Sequence, residues 1–224
     1  MKNRRKSQIK SFVVFTLIVS LISLGSIGYV IIRGISNRDQ TQDIIKGNAS
    51  NDFYSLRTNA TDYQKTVYAQ LSESLKANPV NDSAVAGLVA QNFIADFYTW
   101  SNKLTSNDVG GLQYLDSSIK TWVYAQATNT IYNNLSTYLA NNTVKDTLTV
   151  SASTALITAI DYEFNGVLVS AYSVEVNWQY LPSTVVNVSN YEKSSTVTVI
   201  RDTTGRFSVV AVESALAAAS GVGE

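Results

Sequence analysis

Residues 160–180 read Ile-Asp-Tyr-Glu-Phe-Asn-Gly-Val-Leu-Val-Ser-Ala-Tyr-Ser-Val-Glu-Val-Asn-Trp-Gln-Tyr, and this stretch decides the fold. Ile160, Tyr162 and Phe164 alternate with Asp161 and Glu163, the two-residue period of a strand. Asn165-Gly166 follows, and both central residues of a type I′ turn need the positive φ that these two residue types adopt most easily. The return segment places Leu168, Tyr172, Val174, Val176, Trp178 and Tyr180 on one face and Glu175, Asn177 and Gln179 on the other, until Leu181-Pro182 ends it. Two long strands joined by a tight turn are therefore predicted, and the length of the return strand suggests a bulge and strong curvature. Residues 196–201, the turn Asp202-Thr203-Thr204-Gly205 and residues 207–212 make a second hairpin.

Upstream of this region the period changes. Gln64, Val67, Tyr68, Leu71 and Leu75 recur at three- and four-residue steps and predict a helix from Asp62 that Asn78-Pro79 stops. After Asn81-Asp82-Ser83, side chains suited to a helix N-terminus, the stripe Val85, Val89, Phe93, Phe97, Trp100, Leu104 predicts a long second helix. Asn107-Asp108-Val109-Gly110-Gly111 closes it with turn chemistry. Ile119, Val123, Ala127, Ile131, Leu135 and Tyr138 predict a third helix, from Asp116-Ser117-Ser118 to Asn141-Asn142. Helices followed by strands imply an α+β domain, with helices packed on one face of a curved antiparallel sheet of about four strands.

The N-terminus is of another character. Residues 12–32, beginning with Phe12 and ending with Ile32, carry no charge, and 21 residues of helix span roughly the thickness of a bilayer's hydrocarbon core. Lys2, Arg4, Arg5, Lys6 and Lys10 precede this run, a positive-inside signal that keeps the N-terminus in the cytoplasm, and Tyr29 suits the outer interface. A cleaved signal peptide is the competing reading, with Ser23-Leu24-Gly25 as a weak cleavage site, but the apolar run continues through Ile32. The expected organisation is a cytoplasmic basic tail at 1–11, a transmembrane helix at 12–32, a juxtamembrane linker at 33–61, an extracytoplasmic domain at 62–214 and a flexible tail at 215–224. The expected location is the cell membrane, crossed once, with contact to lipid through the run from Phe12 to Ile32.

Charge follows the same division. The net charge is zero, yet five of the 17 basic residues lie in the first ten positions, so residues 11–224 hold 12 basic and 17 acidic side chains, a balance of −5. No direct nucleic-acid binding is expected of such an ectodomain. With no cysteine and no histidine, serine–histidine triads, cysteine nucleophiles and histidine metal sites are excluded. Sequons such as Asn59-Ala60-Thr61 and Asn187-Val188-Ser189 are expected from chance in so Asn- and Ser-rich a chain.

The remaining chemical candidates are few. Asp161 and Glu163 are a carboxylate pair two residues apart, read as the solvated face of their strand. Tyr162, Tyr172, Trp178 and Tyr180 could line a pocket with Glu175 or Asp96, or simply form core. Gly110-Gly111 lacks the GxxxxGK[ST] context of a phosphate loop and reads as a turn. No catalytic, cofactor-binding or metal-binding residue is assigned, and no enzyme activity is expected.

A short basic tail, one membrane helix and an outer domain of helices followed by a curved four-stranded sheet resemble the VirB-type assembly factor of type IV secretion systems. The stretches Phe93-Ile-Ala-Asp-Phe-Tyr-Thr-Trp100 and Asp108-Val-Gly-Gly-Leu-Gln-Tyr114 are similar to the Gram-positive conjugation branch of that family. The resemblance implies a nuclear transport factor 2-like cone. It also implies a scaffold role in a conjugation channel, by self-association and by contact with other secretion-channel membrane proteins. The alternative is a membrane-anchored small-ligand binder or enzyme of the same superfold. A wall-associated, adhesin-like protein is a third reading.

Overall fold

The Asn165-Gly166 turn forms as its chemistry dictates, with φ of 53° and 79°, in the computed structural model, which describes residues 50–214. It joins β1 (Val150–Phe164) to β2 (Val167–Tyr180); β3 (Ser194–Arg201) and β4 (Phe207–Ser214) complete a sheet ordered β1-β2-β3-β4, antiparallel throughout. The bulge expected on the return strand lies elsewhere. β2 pairs with β1 without interruption from Gln179–Ala152 to Val167–Phe164, and the extra residues are Ser151 on β1 and Val210 on β4.

Among the described residues, four α-helices precede the sheet: α1 (Asp62–Lys76), α2 (Asp82–Phe97), α3 (Ser117–Asn129) and α4 (Leu135–Ala140). α1 starts at a reciprocal cap, in which Thr61 Oγ1 accepts from Gln64 N at 3.2 Å and Gln64 Oε1 accepts from Thr61 N at 2.8 Å. Its predicted stripe is buried at Gln64, Val67, Tyr68 and Leu71.

Two helix predictions are corrected. The second helix stops at Phe97 rather than running on to Leu104, which is 59% exposed. Trp100 is fully buried, but in a loop: its N–H and that of Ser101 both donate to Leu148 O, at 2.7 and 3.2 Å. Pairing with the chain that enters β1 replaces further helical bonds. The third predicted helix is two, α3 and α4, because the backbone leaves helical geometry at Thr130 and Tyr132 N donates back to Ala127 O at 2.8 Å. That wide turn drives Tyr132 into the core, where it is 1% exposed.

The helices cover one face of the sheet. Val174, Val176, Val197, Val199, Val209 and Phe207 on that face are fully buried against Val85, Val89, Phe93 and Ile94 of α2. Each such side chain contributes roughly 1.5–3 kcal/mol on burial. Residues 50–61 join this core: Tyr54 is 3% exposed, and its hydroxyl donates to Phe207 O. Among the described residues no helix is long and apolar enough to cross a membrane, and the predicted spanning run at 12–32 lies outside them, as does the tail at 215–224.

Candidate assembly surface

The aromatic residues read as a pocket lining separate onto two sides of the sheet. Trp178 faces the helices and stacks on Tyr98 at 4.4 Å between ring centroids, with Tyr180 edge-on at 6.5 Å. Tyr98 donates to Glu192 Oε2 at 2.6 Å, and burial, followed by the Glu192 charge, pushes its hydroxyl pKa well above the usual value. Tyr172 is half-buried on the same face. Tyr162 and Glu175 belong to the opposite face, since Tyr162 pairs with Val169, and Glu175, two residues before Asn177, accepts from it at 3.1 Å. The helix-covered face is thus packed with ring on ring.

Asp96, the other acidic candidate, sits at the end of α2 in a buried clamp. Lys103, itself 2% exposed, donates to Asp96 O at 2.8 Å and to Asp96 Oδ1 at 2.9 Å. Gly111 N donates to Asp96 Oδ2 at 2.7 Å, and the Arg57 guanidinium lies 3.7 Å from Oδ1 while it also binds Asp108. Burial by itself would raise the Asp96 carboxyl pKa; the Lys103 and Arg57 charges and the Gly111 N–H outweigh it and hold the group below its ordinary value. Two glycines admit this arrangement for different reasons. A Cβ at Gly110 would strike Asp96 O and the Lys103 ammonium, and Gly111 holds φ of 77°. Tyr132 closes the clamp, donating to Phe97 O at 2.6 Å and accepting from Gly110 N at 3.2 Å. Both oxygens of the Asp96 carboxylate accept hydrogen bonds from within the fold. Lys103, Arg57 and Tyr132 were invisible as a set in the sequence. Asp96 and Lys103 fall within the run predicted as the second helix, but nothing local ties Arg57 or Tyr132 to them.

The other acidic pair, Asp161 and Glu163, is exposed as expected, but the apolar residues that alternate with them do not face the helices. Val174 opposes Ile157 and Val176 opposes Ala155, which fixes the odd-numbered residues of β1 on the helix side. Asp161 and Glu163 share that side, beyond the reach of the helices. Ile160, Tyr162 and Phe164 therefore lie on the back of the sheet, where they pack with Val169, Ala171, Ile200 and Val210 as a second, smaller cluster. Leu168, predicted to be inward, is 68% exposed.

The pairing explains why. β3 accompanies β2 only between Ala171 and Asn177, whereas β1 accompanies it from Val167 to Tyr180. Residues 161–170 form a two-stranded arm that extends about 14 Å past the paired sheet, at 3.4 Å per residue. The arm carries apolar residues on both faces, with Val167 at 61% and Leu168 at 68% exposure, and the hairpin from 150 to 180 contains no basic residue. An isolated two-stranded ribbon is marginal in water, so an apolar arm of this kind is the part of the domain best suited to contact another protein. No protein-family model, curated protein or solved structure matches the chain.

Proposed function

We propose that this protein is a membrane-anchored, non-catalytic structural subunit of a conjugative type IV secretion channel, and that its helices and sheet form a nuclear transport factor 2-like cone. The observation that supports this reading most directly is the division of the domain: a helix-covered face filled by its own aromatic side chains, and an arm of exposed apolar residues that serves contact rather than chemistry. The run from Phe12 to Ile32 anchors the domain outside the membrane, and the basic residues at 2–10 stay inside. The subunit works by self-association and by binding other membrane proteins of the channel.

The test is plasmid transfer from a donor strain deleted for this gene. Transfer should fall to background and return with the full-length chain, but not with one carrying Val167→Lys and Leu168→Lys. Unchanged transfer in the deletion strain would overturn the proposal.

A further inference from the structure

The two edges of the sheet are treated differently. The first part of β4 is covered: Leu115 bridges to Val209 in parallel, Asp116 N donates to Val209 O at 2.8 Å, and the Tyr54 hydroxyl donates to Phe207 O. The start of β1 is also guarded, since Gln91 Nε2 donates to Ser153 O at 3.1 Å and Tyr63 bonds Ser153 Oγ. From Ala155 to Phe164, among the described residues, no hydrogen bond reaches the outer side of β1. This long edge holds no proline, lysine or arginine; its bulge at Ser151 lies before it, and its only charges are Asp161 and Glu163.

Resting on the reading of this chain as a self-associating subunit, we infer that β1 pairs antiparallel with β1 of a second copy, about a two-fold axis at Ile160. The order of residues selects this centre. On the back face, Leu156 then opposes the partner's Phe164, Thr158 opposes the partner's Tyr162, and Ile160 meets the partner's Ile160. These are apolar and aromatic cross-strand pairs of the kind that stabilise sheets. On the helix side, Ile157 opposes the partner's Glu163 and Ala159 opposes the partner's Asp161, so no carboxylate faces another. Neighbouring registers fail on one count or another. A centre at Asp161 sets that residue against the partner's Asp161, and a centre at Tyr162 sets Asp161 against the partner's Glu163. A centre at Thr158 needs Ser153, whose carbonyl Gln91 already holds. A centre at Ala159 leaves Phe164 on the partner's Thr154 and Ile160 on the partner's Thr158, and keeps only Leu156 on the partner's Tyr162, where the centre at Ile160 pairs Leu156 with Phe164, Thr158 with Tyr162 and Ile160 with itself.

The edge offers residues 155–164, about half the 20–30 residues a side of a standard interface. The dimer is therefore weak in free solution and gains from confinement of both copies to one membrane.

The chain contains no cysteine, which makes the test clean. Opposed residues in an antiparallel pair have Cα atoms about 4.5–5.5 Å apart, within disulfide range. In detergent-solubilised full-length protein, mild oxidation should convert Ile160→Cys to a covalent dimer. Leu156→Cys or Phe164→Cys alone should stay monomeric, because like residues then lie about 27 Å apart along the ladder. A mixture of Leu156→Cys and Phe164→Cys chains should give the crossed dimer. Leu156→Lys, at a position 67% exposed, should lower the dimer fraction of the cysteine-free chain by about tenfold in sedimentation, with its circular dichroism unchanged. A folded Ile160→Cys chain that remains monomeric, or that links no better than the two flanking variants, overturns the inference. Crosslinking as described together with unchanged plasmid transfer from the deletion strain leaves the pairing intact and removes the secretion reading. Lost transfer without crosslinking does the reverse.

Discussion

At the end of α2, buried Asp96 accepts hydrogen bonds from buried Lys103 and Gly111 and lies beside the partly buried Arg57. At the tip of the β1–β2 hairpin, Leu168 and Val167 stand in solvent, and the strands have no neighbour but each other. The clamp contains charges that must meet, and removing either Asp96 or Lys103 leaves a buried group without its main partner. The arm contains apolar side chains that nothing in the domain covers. Local stability therefore concentrates where polar groups are buried and satisfied, whereas Val167 and Leu168 lie outside the small cluster that Tyr162, Phe164 and Val169 form with Ile200 and Val210.

The comparison breaks first at the clamp. Asp96→Ala leaves the fully buried Lys103 ammonium without its carboxylate and should cost about 3–5 kcal/mol in urea unfolding. The same residue sets a pH dependence. Its carboxyl pKa is depressed in the folded state, so the stability it contributes is full above the unfolded value near 4 and is lost as pH falls through the lower folded value. The gap in unfolding free energy between the natural chain and Asp96→Asn should therefore shrink below about pH 4 and be constant from pH 6 to 8. A gap that widens on acidification would show that Asp96 is not held ionised by its neighbours. Gly110→Ala follows, at about 3 kcal/mol, because its Cβ meets the backbone oxygen of Asp96, which cannot swing aside. Tyr132→Phe removes a hydroxyl bonded to Phe97 O and Gly110 N and should lower stability by about 1–3 kcal/mol.

These magnitudes also mark what was legible in the sequence. Period and turn chemistry located α1, both hairpins and the Asn165-Gly166 turn, because each depends on residues within a few positions of one another. They failed where a distant partner decided the outcome. α2 ends early because Trp100 and Ser101 pair with Leu148, some 48 residues away, and no local pattern announces it. α3 breaks because Tyr132 serves the Gly110 loop. Alternation along 160–164 was read correctly as a strand, yet alternation alone does not say which face meets the helices. The register against Val174 and Val176 decided that, and it sent Tyr162 away from Trp178. The clamp was hidden for the same reason: Arg57, Asp96, Lys103 and Asp108 are joined only by the fold.

The smallest effect on stability is expected at the arm, and it sharpens the comparison most. Val167→Lys and Leu168→Lys replace side chains 61% and 68% exposed, so each should move the unfolding free energy by no more than about 0.5 kcal/mol. The turn beside them is unaffected, since Asn165 and Gly166 keep the positive φ that sets the register. If the arm were merely the loose end of the sheet, the double variant would behave as the natural chain in every assay. As a contact surface it should instead lose capture of its partners while retaining the melting temperature within about 2 °C. A double variant that unfolds several kcal/mol more easily would mean that Val167 and Leu168 are covered within the domain, and the contrast between a self-sufficient clamp and an open arm would fall.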